Sequence, residues 1–416
     1  MHSLSRVRPV YVAASILAVI TACSDGIDSS RITQPAAPAP TAASLHAPAN
    51  AGAVVQVADV EQLYAAVNHP ANAGSTILLA PGTYVLSAKD PSGVGRPNGG
   101  RLDLQQDMSV SGVTDDRAAV VIDAAGLPRS TFATPFGRTG VLRTGRGSNA
   151  VEWLTIAGNP LAAAAVDTDL GSTEYAQVRV AHVVAGNSAR GVDIRNVGLE
   201  MAGRRLHAEI VDNEFFRGVE GIRVANFFGA DRGDISVVMS GNRSYENILG
   251  CIVENNLSSF ASIQVRSSGD RFEDNGLGCQ IGSGLASDGA ANSNSTVFEG
   301  HGTHFTNNTR TTFFNNTGPA FKDFGGVLVA GGDALSVAGT TSSNTVLVKL
   351  WGCRVAENQN FDFRALGARS RDPSIIAGTN NHATIELHGV SKQTDVVGED
   401  SSPVDPSGSN TLTIIR

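Results

Sequence analysis

Few residues in this chain are placed to do chemistry in a recognisable way. Glycoside hydrolysis needs two carboxyl groups at a defined separation, and the adjacent pair Asp115–Asp116 stands alone. Lysine bases have only Lys89, Lys322, Lys349 and Lys392 to draw on, each isolated. Cys23, Cys251, Cys279 and Cys353 show no spacing to histidine that would make a zinc site. Gly300-His301-Gly302 holds a histidine between flexible residues, but the chain has 46 glycines and nine histidines, so one such triplet is expected by chance. What remains are polar side chains at alternate positions. Among them His207, Glu209, Arg223 and Arg266 are the candidate ligand-facing residues, able to hydrogen-bond or ion-pair with a polar ligand. Asp193 beside Arg223, and Lys349 beside Glu386, are expected as cross-strand charge pairs of about 0.2–1 kcal/mol.

A repeat must position these residues. LHAEIVDNEFFRGVEGIRV from Leu206, ISVVMSGNRSYENILGCIV from Ile235 and IQVRSSGDRFEDNGLGCQI from Ile263 are nearly in register. Gly221, Gly250 and Gly278 fall 29 and 28 residues apart, as do Asn213, Asn242 and Asp270. Such a period marks a stacked solenoid. Within each unit Leu206, Ala208 and Ile210 alternate with His207 and Glu209, which is a half-buried strand. A second strand follows each glycine, with Val192, Ile222, Cys251 and Cys279 inward and Asp193, Arg223, Ile252 and Gln280 outward. Parallel strands about 4.8 Å apart, one per coil, satisfy this pattern. Asn213, Asn242 and Asp270 would then bond one another up the stack, and Gly218, Asn247 and Asn275 would form a second such column. Cys251 and Cys279 come within disulfide range in this arrangement, but parallel side chains favour two small buried hydrophobes. Gly284–Ser295, with Asn292, reads as a polar loop outside the period.

The whole resembles the right-handed parallel β-helix of the pectate-lyase-like superfamily. The segment VVQVADVEQLYAAVNHPANAGSTILLAPGTYVLS, Val54 to Ser87, is similar to the entry of such domains. Val60, Leu63, Tyr64 and Val67 share one helical face there, and Ile77, Leu79, Gly82 and Tyr84 form the opening turn. The resemblance implies an all-β solenoid of about twelve coils of roughly thirty residues, with an N-terminal capping helix. It does not fix an activity, because lyases, hydrolases, epimerases and non-enzymatic proteins share the fold. The histidine triplet is similar to one in polygalacturonases, yet their accompanying NTD, paired-aspartate and RIK motifs are not found near it. The calcium cluster of pectate lyases is not legible, so no cofactor is implied.

The first 22 residues resemble a lipoprotein leader. Arg6 and Arg8 precede the apolar run Val10–Ile20, and Ile20-Thr21-Ala22-Cys23 is similar to a bacterial lipobox. Residues 1–22 are thus the leader, 23–52 a Pro/Ala-rich tether, and 53–416 the β-helix. The resemblance implies lipid on Cys23 and attachment to a membrane, with Ser24 compatible with the outer membrane of the cell envelope. The formal charge of −8, more negative once the leader leaves, argues against nucleic acid as a partner. Two function classes follow: a lipid-anchored, non-catalytic binding or structural module, for which polysaccharide is the expected ligand, or a polysaccharide lyase or glycoside hydrolase. The missing catalytic motifs favour the first.

Overall fold

Each regular coil turns three corners and not two. In the computed structural model the unit beginning at Arg205 runs as a strand Arg205–Val211, a short strand Glu214–Phe216 and a longer strand Glu220–Phe227. The first and third carry the alternation seen in the sequence; a three-residue strand is too short to show any. The structure describes residues 52–134, 137–168, 175–198, 202–286, 289–309, 324–334, 339–370, 378–392, 394, 396–402 and 408–416. The chain divides into Met1–Pro38 and Ala39–Arg416, and every described residue falls in the second unit. The leader, Cys23, the tether up to residue 51 and the segment Leu335–Val337, whose alternation in the sequence reads as a strand, lie outside the described residues.

Among the described residues, twelve strands stack in parallel on the first face. They are Val54–Val57, Thr76–Leu79, Ser109–Gly112, Gly147–Ala157, Tyr175–Gly186, Arg205–Val211, Asp234–Ser240, Ser262–Ser268, Ser295–His301, Thr345–Trp351, His382–His388 and Thr411–Ile415. The short face follows from Gly82–Val85 to Ser391–Lys392, and the third face from Leu102–Asp103 to Val396–Ser402. Inward columns are mostly apolar, interrupted by buried Ser244, Ser267 and Thr296. Ala208, Val237, Val265, Phe298, Val348 and Ile385 lie over one another, all buried. On the third face Val192, Ile222, Cys251, Cys279, Val327 and Phe363 do the same. Burying one such aliphatic side chain is worth about 1.5–3 kcal/mol, so the columns supply most of the drive to stack. Cys251 and Cys279 are buried free thiols that serve as two more small apolar members.

The helix Val60–Asn68 caps the first coil. Asp59 accepts from the Gln62 N–H at its N-terminus, and Leu63, Tyr64 and Val67 are buried beneath it, with Val60 half-buried. Two excursions from the coil, around Gly99 and around Thr131, pack on each other: Thr131 donates to the Gly99 carbonyl at 2.7 Å, and Phe132 is fully buried.

The asparagine columns exist and are longer than expected. Asn213 donates through its backbone N–H and Nδ2 to Asn242 Oδ1 at 3.1 and 2.9 Å, and Asn242 donates likewise to Asp270 Oδ1 at 2.8 and 2.8 Å. The second column runs from Gly218 through Asn247, Asn275 and Asn308 to Asn358. A third, Asn294–Asn344–Asn381–Asn410, begins inside the stretch expected to be a loop. That stretch is part of the stack: Ala290–Asn292 pairs with Thr340–Ser342, and Asn292 Oδ1 accepts from Ser342. Its small polar residues gave no alternation of apolarity to read.

Asp270 is the one acid in its column. Burial pushes its carboxyl up to about 6, although Ser267 and Asn242 donate to it. Its unfolded value is about 3.9. The folded chain therefore keeps a proton that the unfolded chain releases, and this stabilisation is complete below the unfolded pKa and lost as pH rises through about 6. Relative to Asp270→Asn, the parent protein should gain up to about 3 kcal/mol on acidification from about pH 8 to about pH 4. Urea unfolding at several pH values measures it, and a constant difference would refute it.

Candidate functional site

In eight successive coils the backbone passes between the first and short faces through one left-handed residue. In register these are Trp153, His182, Asp212, Gly241, Gly269, Gly302, Gly352 and Gly389, with φ between 51° and 69°. Glycine suits that geometry, whereas other residues bear about 1–2 kcal/mol each. Five coils use glycine. The three earlier ones place an indole, an imidazole and a carboxylate there, and the three side chains meet. Trp153 and His182 stack with centroids 3.8 Å apart and planes 16° off parallel, and His182 Nδ1 lies 3.9 Å from Asp212 Oδ2.

A loop closes this corner from one side. Between Ser109–Gly112 and Val120–Asp123 the chain makes a detour through Asp115, Asp116 and Arg117. Arg117 reaches the Asp212 carbonyl at 3.1 Å and forms an ion pair with Glu214, and its own carbonyl accepts from Thr155 at 2.9 Å. The open cleft so framed, of about 670 Å³, has the loop aspartates and Trp153–His182 at one end, Arg243 and Arg271 at the other, and Gly241 and Gly269 between. Asp116 uses one oxygen to hold the Ala118 N–H at 2.9 Å. The arrangement offers carboxylates, an imidazole and guanidinium groups around a small open floor, which can bind a ligand bearing hydroxyls and acidic groups.

None of the four sequence candidates lines this cleft. His207 and Glu209 lie on the outer side of Arg205–Val211, where His207 Nδ1 is 3.3 Å from Ser236 Oγ and Glu209 accepts from Arg179 at 2.6 Å. Arg266 is exposed two coils on and pairs with Glu299 at 3.2 Å. Lys349 and Glu386 pair at 3.8 Å as expected. Arg223 is the correction: it is 4% exposed, on a face read as solvated. Asp193 and Ile252 are buried there too. Alternation identifies side chains that leave the core, not whether other groups cover them. Arg223 does lie beside Asp193 in register, as expected, but its guanidinium donates to Glu254 at 2.8 Å.

The third face carries a buried ionic network instead. Arg195 donates to Asp167 at 3.1 and 2.8 Å and approaches Asp193 at 3.3 Å, with Arg190 at 3.7 Å from the same carboxylate. Burial pushes Asp167 up, only partly offset by Arg195. Burial opposes ionisation of Asp193 as well, but Arg195, Arg190 and Arg223 together outweigh it and hold it down. Glu254 is raised by burial in spite of Arg223.

The missed site had a trace in the sequence. Trp153, His182, Asp212 and Gly241 are spaced 29, 30 and 29 residues apart, the period of the repeat, and Asp212 and Gly241 each precede an asparagine of the first column. In the two earlier coils the same strand runs on through the bend, Gly147–Ala157 and Tyr175–Gly186, so no turn residue marks the corner.

Parallel strands on three faces, side-chain columns and a helical cap define a right-handed parallel β-helix protein. No protein-family model matches the chain, and no curated protein matches it. Solved structures similar to it include the A-module of the mannuronan C-5 epimerase AlgE4 of Azotobacter vinelandii, at 16% identity and TM-score 0.43, covering 86% of this chain and 98% of that one. The pectate lyase Pel9A is 12% identical with TM-score 0.33, covering 82% and 73%. The catalytic unit of a GH87 α-1,3-glucanase from Streptomyces thermodiastaticus strain HF3-3 is 12% identical with TM-score 0.36, covering 90% and 69%. At that level of likeness none of them lends this chain its activity.

Proposed function

We propose that this protein is a lipid-anchored β-helix of the cell envelope that binds a linear polysaccharide in the Trp153–His182–Asp212 corner without turning it over. The meeting of side chains at that corner carries the reading. A tryptophan, a histidine and an aspartate stand together in left-handed backbone where glycine serves the later coils, and they line one cleft with the loop carboxylates. The carboxylates of Asp115, Asp116 and Asp212 accept from sugar hydroxyls, while the stacked rings give an apolar wall of the kind saccharide C–H groups pack against. The corner also allows an unusual test. His182→Gly restores the residue type that the fold prefers there, so stability should change by no more than about 1 kcal/mol, relief of strain being set against the entropy of glycine in the unfolded chain. Retention on immobilised polysaccharides should fall at least tenfold. Full retention by a folded His182→Gly protein would end the proposal.

The anchor rests on Ile20-Thr21-Ala22-Cys23 behind an apolar run. Expressed in a bacterium, Cys23→Ala should abolish partitioning into the detergent phase and labelling by a fatty-acid probe; unchanged partitioning would remove the anchor.

A further inference from the structure

The corner does not end at the cleft. From within the cleft onward the left-handed position is glycine in five successive coils, and at Gly269, Gly302, Gly352 and Gly389 an added Cβ would point into open space. The result is a strip without side chains that runs along the solenoid axis. One border of the strip is the first column of the short face, where Arg243, Arg271, His304 and Arg354 lie in register on consecutive coils. Arg243 also bonds Glu273 at 2.7 Å and Arg354 bonds Glu357 at 2.7 Å. Arg271 is exposed, and neither it nor His304 has an ion pair among the described residues. The opposite border, at the end of the first face, carries His301, Trp351 and His388 in register, with ring centroids 4.5 and 5.5 Å apart and planes within 4° and 13° of parallel.

N–H donors one coil apart repeat every 4.8 Å or so, close to the advance of one sugar in an extended glycan. A partner matched to this strip is straight, flexible enough to lie on a bare backbone floor, and anionic at every repeat. We infer that the glycine strip is a track for a linear acidic glycan, its carboxylate or sulfate groups taken one per coil by the Arg243–Arg354 column. Guanidinium groups suit both anions, through paired N–H donors. This rests on the polysaccharide reading of the cleft, which is the closed end of the same strip and shares Arg243 and Arg271 with it.

The test uses the full chain, with affinity electrophoresis and titration calorimetry at low and high salt. The probes are polygalacturonate, its methyl ester, a linear sulfated galactan and oligothymidylate. Polygalacturonate or the sulfated galactan should bind, whichever does naming the anion, and added salt should weaken binding. The methyl ester should bind at least tenfold more weakly. The double variant Arg271→Ala, His304→Ala removes two groups without ion pairs, so its melting temperature should not move while affinity for the acidic glycan drops at least tenfold. Equal binding of acid and ester, an unchanged double variant, or equally tight binding of oligothymidylate would each overturn the inference. If His182→Gly loses glycan binding and the double variant does not, the cleft reading stands and the track falls. If no glycan binds the parent protein, both fall.

Discussion

Replacing Arg195 by methionine should cost about 3–5 kcal/mol, because it leaves two buried carboxylates without their cation. The guanidinium donates twice to Asp167 and once to the Arg138 carbonyl at 3.1 Å, and stands 3.3 Å from Asp193. Both acids are fully buried. The pair is not thereby a large net source of stability, since desolvating all three groups opposes the attraction between them. The loss comes from breaking it one-sidedly. Asp167, already pushed up by burial, loses its main stabilising cation and rises further. An acid whose folded pKa lies above its unfolded one is stabilising when protonated, so the penalty should shrink as pH falls and be largest above neutrality. Adding Asp167→Asn to Arg195→Met should recover a good part of the loss, a coupling measurable by a double-mutant cycle in urea. A single variant within about 1 kcal/mol of the parent, or no coupling, would mean that the network is open to water and of little consequence.

That network marks the limit of what the residues disclosed in advance. Period-two alternation placed Val192, Ile222, Cys251 and Cys279 in one inward column, and the structure keeps them there. The twenty-eight to thirty residue spacing located Asn213, Asn242 and Asp270, because an asparagine that bonds its neighbour above must recur once per coil. Local rules of this kind are legible since each depends on a residue and its own period. The cover over Asp193 and Arg223 depends on what other groups do, so the face looked solvated. The corner site was hidden for a different reason. Its members do not resemble one another: Trp153, His182 and Asp212 share a backbone conformation and a register, not a side-chain chemistry. Glu209 and Arg266 looked more promising because they are charged and point outward, yet each is already paired with a neighbour on the same face. Outward charge on this β-helix is thus engaged by its own neighbours at both positions.

The asparagine column gives the other large expected effect. Asn242 sits between two coils with every polar atom engaged. Its Oδ1 accepts from the Asn213 backbone N–H and Nδ2, its Nδ2 donates to Asp270 and, at 2.6 Å, to the Ile210 carbonyl, and its own N–H reaches Asp270 at 2.8 Å. Leucine at this position is close in volume but removes both side-chain roles. The Asn213 donors and the Ile210 carbonyl would be left buried and unpaired, at about 1–3 kcal/mol for each such group. Backbone strain adds nothing, since the left-handed residue is Gly241, one position earlier. Asn242→Leu should therefore lose about 3 kcal/mol or more. The comparison is Gln264→Leu, the same new side chain on an exposed outward position of the neighbouring coil, expected within about 0.5 kcal/mol of the parent. Hydrogen exchange should localise the damage. Amides of Ile210 to Asn213 and Asp270 to Phe272 should lose protection first, and strands near Val54 and Ile415 should be spared, because a solenoid couples each coil mainly to its neighbours. Equal stabilities for the two leucine variants would show that the column decorates the stack without holding it.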